Sequence, residues 1–183
     1  YKRQITEYGK VNQVAAKSFK EMLEKTIEEY HERRKHLPME EAGETQEQAS
    51  EDIIKKATEQ AMNILRQMKE SRESFRKVGL SFEEKAFYDI LVAMRDKHNF
   101  EYGTDKEIDG VIVNDKCKAL AQKVKEIIDT KSSFADWLNN QNVRDQLKFD
   151  IKVCLIKNGY PPQYSPEVFK QVMDQVENFK ENN

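Results

Sequence analysis

The sequence predicts an all-α protein, an irregular multi-helix bundle of about six main helices. Composition is the first observation: 35% of the 183 residues are charged, against 6 Gly and 4 Pro, so helix formers abound and chain breakers are few. The second is periodicity. The hydrophobic share is a modest 38%, but much of it recurs at steps of three and four, the spacing of one helical face. The third is punctuation by caps and stops between these stripes.

The elements follow in order. A first helix is expected over about 10–35, where Val11, Val14, Ala15, Phe19, Met22, Leu23, Ile27 and Tyr30 form one stripe. Its last turn carries Arg33, Arg34 and Lys35, which the helix dipole favours without any ligand. Residues 37–50 read as a flexible acidic linker. A second helix spans about 50–78, with Ile53, Ile54, Ala57, Ala61, Ile64, Leu65, Met68, Phe75 and Val78 inward, and stops at Gly79. Ser81-Phe-Glu-Glu84 is a capping box opening a third helix to about 97. Residues 98–113 read as irregular; Val111-Ile112-Val113 is extended but too short to predict a sheet. Asn114 or Asp115 caps a fourth helix to about 130, followed by a short segment around Phe134 and Trp137. A fifth covers about 142–158 and ends at Gly159, where Pro161-Pro162 bars its return. Ser165-Pro166 opens the sixth in N-cap and first-turn fashion.

No catalytic, cofactor or metal site is expected in this chain. His31 and His36 are five apart, which does not place two ligands on one helical face, and His98 stands alone. There is no phosphate-binding Gly-rich loop and no nucleophile elbow. Cys117 and Cys154 sit on apolar stripes, as packing residues do, and fit a reduced, cytoplasmic setting. No apolar run approaches a membrane span. The chain opens on Tyr1 rather than Met, which suggests a piece of a longer protein.

The charge balance, 31 basic against 33 acidic residues, leaves a net −2, so no global field draws the chain onto nucleic acid. Local rows remain. Arg144, Lys148 and Lys152 fall at i, i+4 and i+8, with Lys157 extending the row, a spacing that suits successive phosphates. Lys69, Arg72 and Arg76 form a weaker row, with Glu70 and Glu73 between. A solvated helix face is the plainer reading of both rows, of the second above all, and neither resembles a base-reading element.

Val78-Gly-Leu-Ser-Phe-Glu-Glu-Lys-Ala-Phe-Tyr-Asp89 resembles a signature in the C-terminal region of the restriction, or motor, subunit of type I restriction-modification enzymes. Ser18–Glu24 with Glu29, Tyr30 and Arg33, the Val143–Lys152 helix and the Gly159-Tyr-Pro-Pro162 turn match the same family in order and spacing. Asn158 and Gln163 depart from it, where an aromatic and a basic residue are usual, and the 98–113 loop is longer. The resemblance implies a parent with a nuclease domain and an ATP-driven DNA translocase. ATP and magnesium are then expected in the parent's other domains, with no cofactor in this chain. It also implies an organisation: residues 1–36 a helix linking to the preceding motor region, 37–50 a linker, and 50–183 a C-terminal assembly domain. The partners implied are the methyltransferase and specificity subunits, with double-stranded DNA met through its backbone and no membrane. Tyr88, Asp89, Tyr160, Pro161 and Pro162 are the candidate protein-interface residues, Tyr160 being as readily a core residue; a sequence-neutral DNA-binding wall of the translocation groove and a purely structural helical cap are the alternatives.

Overall fold

A computed structural model describes residues 1–36, 46–131 and 139–182. In chain order the elements are α1 (Lys2–Gly9), α2 (Gln13–Lys35), α3 (Gln46–Glu73), α4 (Phe75–Val78), α5 (Phe82–Lys97), β1 (Asp105–Ile108), β2 (Val111–Asn114), α6 (Asp115–Lys131), α7 (Gln141–Lys157) and α8 (Pro166–Asn182). The protein is predominantly helical, as expected. The Ser81 box forms in both directions: the Ser81 side chain accepts from the Glu84 N–H at 3.1 Å, and the Glu84 carboxylate accepts from the Ser81 N–H at 2.7 Å. Gly79 and Gly159 stop their helices at φ +73° and +70°, a left-handed conformation that glycine enters without a Cβ clash.

Four expectations change. The helix expected over 10–35 is α2 and begins at Gln13, because Asn12 is extended and its side chain caps the helix through the Ala15 N–H (3.1 Å), while α1 before it was not expected. The helix expected over 50–78 begins four residues earlier, at Gln46, and breaks at Ser74 into α3 and the one-turn α4. Residues 46–50 of the expected linker are therefore helical; 37–45 lie outside the described residues, as do Phe134 and Trp137. Finally, Val111–Asn114 pairs antiparallel with Asp105–Ile108. Asp109 and Gly110 both take positive φ, +50° and +75°, as a two-residue hairpin turn of this hand requires. The Asp-Gly pair was the available signal. It was obscured because every residue of β1 is exposed, so no alternation marks that strand.

The apolar stripes close two cores. Leu91, Leu120, Ile151, Leu155 and Val172 are fully enclosed among α5, α6, α7 and α8. Ile5, Tyr8, Phe19, Leu23, Ile64 and Met68 form the second core between α1, α2 and α3. Each enclosed aliphatic side chain contributes about 1.5–3 kcal/mol relative to exposure. The cores interlock: Val11, in the α1–α2 joint, and Val14, in the first turn of α2, pack on the first, while Phe82, at the start of α5, packs on the second. The stripe does not hide everything. Ile27 and Ile54, expected inward, are exposed and border an open cleft of about 560 Å³ between α2 and α3.

The joint between α1 and α2 is held from outside. Gln175 of α8, 1% exposed, donates to the Val11 carbonyl (2.8 Å) and accepts from the Gln13 N–H (3.1 Å). Asn178 donates to the carbonyls of Gly9 (2.9 Å) and Lys10 (3.1 Å). Buried Asn12 donates to Asp89 (2.6 Å), which also pairs with Lys85. The Gln175 and Asn178 bonds satisfy backbone groups that the turn between the helices leaves orphaned.

Candidate docking surfaces

The two tyrosines singled out as interface candidates are core residues. Tyr160 is fully buried. Its hydroxyl donates to the Leu91 carbonyl at 2.7 Å, and its ring meets Phe100 and Tyr102 edge-on at 5.4 and 5.1 Å. Tyr88 is 6% exposed, and its hydroxyl accepts from the Asn114 N–H at 2.9 Å. Burial raises the pKa of both phenols. Neither ring stands where a partner would meet it. Off-stripe placement suggested display for Tyr88, but the hairpin, which the sequence did not reveal, covers that side. Asp89 is half-buried in the α1–α2 joint; Pro161 is half-buried and Pro162 exposed.

A polar cluster fastens the hairpin to the helices. The Asn114 side chain donates to the Tyr102 carbonyl and to Asp105, each at 2.8 Å, and accepts from the Cys117 N–H at 2.9 Å. Arg95 donates to Asp105 (2.7 Å) and Asp96 (2.8 Å). Arg95, and then Asn114, hold the Asp105 carboxyl below its usual range. Asp115 accepts from the N–H groups of Thr104 and Lys116, which lower its pKa likewise. The capping roles of Asn114 and Asp115 were legible locally. The Arg95–Asp105 pair links residues ten apart, and no local pattern announces it.

The basic row on α7 is largely engaged within the chain. Lys148 pairs with Glu177 of α8. The Lys152 ammonium lies 5.5 Å from the Tyr164 ring and 5.3 Å from the Phe169 ring, within reach of both π faces. Half-buried Arg144 donates to Gln141 at 2.7 Å. Lys157 is exposed in the last turn. A different stripe of α7 turns outward: Phe149 is 61% exposed and Ile156 53%, with half-buried Val153 between them at helical spacing, and Tyr164 beyond is 70% exposed.

The second row lies elsewhere. Lys69 and Arg72 border a groove between α1 and α3. The Arg72 guanidinium sits 5.8 Å from the Phe82 ring and that of Arg76 5.6 Å from Phe75. The structure thus brings Lys69 and Arg72 together with Arg3, which sequence reading did not single out; only the packing of α1 on α3 joins them.

Cys117 is enclosed, and burial pushes its thiol up to about 12; half-buried Cys154 is also raised by burial. Among the described residues no group of three or more His, Cys, Asp or Glu side chains is placed to hold a metal ion, and no helix is long and apolar enough to cross a membrane.

Comparison with known proteins places this arrangement. Residues 1–182 match the family described as type I restriction enzyme HindI endonuclease subunit-like, C-terminal. A provisionally assigned type I restriction enzyme MjaIXP endonuclease subunit of Methanocaldococcus jannaschii is 24% identical over 101 residues, covering 55% of this chain and 8% of that protein. No solved structure matches. The family is the one to which the 78–89 and 159–162 segments pointed, and it takes in nearly the whole sequence: the chain belongs to the C-terminal region of type I restriction enzyme HindI-like endonuclease subunits.

Proposed function

We propose that this region is the docking part of the endonuclease subunit, joining it to the methyltransferase and specificity subunits in the cytoplasm. ATP-driven translocation, magnesium-dependent cleavage and the DNA path belong, in this reading, to other parts of a longer subunit. The observation that carries it is the outward stripe of α7. Phe149 and Ile156 are large, apolar and exposed on a helix whose opposite face, through Leu147, Ile151 and Leu155, is already buried, and exposed Tyr164 follows in the segment after it. A helix apolar on two sides is covered on both when it sits inside an assembly, and exposed aromatics are favoured anchors at interfaces.

DNA-backbone contact is the subsidiary role. Lys148, Lys152 and Arg144 already have partners inside the chain, so bringing them to phosphates exchanges existing contacts for new ones. Lys157 is the member of the row left in solvent, and the net charge of −2 adds no general attraction.

The test is co-purification of the full endonuclease subunit, with and without this region, with the methyltransferase–specificity complex at low and moderate salt. Loss of assembly at both salts is expected, since apolar contacts are insensitive to screening. The double variant Phe149→Glu/Ile156→Glu is expected to weaken assembly by about tenfold or more. Unchanged assembly after deletion would overturn the reading; unchanged assembly with weaker DNA binding would put the DNA role first.

A further inference from the structure

The groove between α1 and α3 combines features that a solvated helix face lacks. Its volume is about 680 Å³; Val11, Leu65 and Met68 line it with apolar surface, and the Phe82 ring adds an aromatic wall. Three cations stand around it: Arg3 from α1, and Lys69 and Arg72 from α3. None of the three takes part in an ion pair within 4 Å among the described residues. One carboxylate lines the groove, Glu7, and it is bound to Lys10 at 2.8 Å. Arg72 rests near the Phe82 ring, a weak contact at an exposed site that leaves its N–H donors for an incoming anion. Cations drawn from two helices around an apolar bed repel one another, and a ligand carrying both carboxylates and apolar side chains relieves that repulsion.

We infer that this groove seats an acidic amphipathic helix of a protein partner. Its apolar ridge would lie on Val11, Leu65 and Met68, and its carboxylates would reach Arg3, Lys69 and Arg72. Duplex DNA answers only half of this description: phosphates satisfy the cations, but a backbone offers no apolar ridge to the bed. Helix-in-groove recognition uses both. The inference rests on the docking reading above and names a second surface for it, on the other core from the α7 stripe.

The experiment uses the full endonuclease subunit and the methyltransferase–specificity complex, with a short DNA duplex as a parallel probe. Charge reversal, Arg3→Glu/Lys69→Glu/Arg72→Glu, is expected to weaken assembly by about tenfold or more and to leave duplex binding unchanged. Neutralisation to Gln at the same positions should give a smaller loss, one that shrinks as salt rises and screens the wild-type contacts. All three side chains are rim residues, so circular dichroism and thermal melting should match wild type, which separates lost docking from lost folding. Intact assembly in the reversal variant, when deletion of the whole region abolishes it, overturns the groove and leaves the docking reading standing. Intact assembly after deletion overturns both. A reversal variant that loses duplex binding but assembles normally assigns the groove to nucleic acid and overturns the inference.

Discussion

Asn114 joins three elements by itself. Its backbone donates to Tyr88 of α5, its side chain donates to Tyr102 and Asp105, and its oxygen caps α6 through Cys117. Removing an N-cap costs about 1 kcal/mol, and leaving the Tyr102 carbonyl unsatisfied adds about 1–3. Asn114→Ala is therefore expected to destabilise the protein by about 2–4 kcal/mol in urea unfolding; a loss under about 1 would contradict the account. Cys117, enclosed and with its thiol pushed up to about 12, should not react with Ellman's reagent at pH 8 in the native protein and should react fully in urea. Rapid native labelling at Cys117 would show that α6 opens. At this scale the sequence revealed what local pattern carries: the caps at Ser81 and Asn114, and the packing character of both cysteines. It did not reveal that Tyr88 is a core residue and left Tyr160 open between core and surface, because each is enclosed by segments distant in the chain.

Among the elements, the hairpin separates two costs of a glycine. Gly110 has φ +75° and no atom within 4 Å of where a Cβ would stand, whereas at Gly103, φ +69°, a Cβ would lie 2.4 Å from the Asn114 oxygen. Gly110→Ala carries only the left-handed penalty, about 1–2 kcal/mol. Gly103→Ala carries that penalty and also displaces the Asn114 cluster, so it is expected to lower the urea midpoint clearly further. Equal effects would mean the cluster is soft. The capping box that set the start of α5 was readable because its two bonds span three residues. The start of α2 at Gln13 rather than at about 10 was not, because Val11 and Val14 keep the apolar rhythm running across Asn12. Gly9 followed by Asn12, a stop and then a cap, was the overlooked sign. On α8, Gln175→Ala should cost about 1–3 kcal/mol by orphaning the Val11 carbonyl and the Gln13 N–H; a near-neutral effect in thermal melts would show that water replaces it.

Over the whole molecule, stability should hold across a broad neutral range and fail on both sides for different reasons. Burial raises the phenols of Tyr8, Tyr88, Tyr102 and Tyr160 above the usual 10.0, and both thiols above 9.0. These groups stay protonated in the fold while the unfolded chain releases protons, so their contribution is full below about pH 9 and declines as pH rises beyond it. Asp105 acts in the opposite direction. Its pKa is lowered from 3.8 by Arg95 and Asn114, so its contribution is present at neutral pH and lost as pH falls below that value. Urea midpoints measured from pH 3 to 11 should form a plateau with two falling edges; a midpoint still rising above pH 10 would contradict the burial of the phenols. The helical class and the family were legible from stripes and motifs, whereas the surfaces were not, since exposure on α7 and the grouping of Arg3 with Lys69 and Arg72 arise only from packing.

The grip of Gln175 and Asn178 on the α1–α2 joint has a consequence for the order of synthesis. The bonded residues are separated by 164 and 169 positions, and a ribosome adds about 5–20 residues per second. The first two helices must therefore wait on the order of ten seconds or more for the helix that secures their junction. Through that interval the nascent chain holds an unlatched elbow, and a message cut short before α8 leaves it unlatched permanently, exposed to whatever proteases survey the unfinished product.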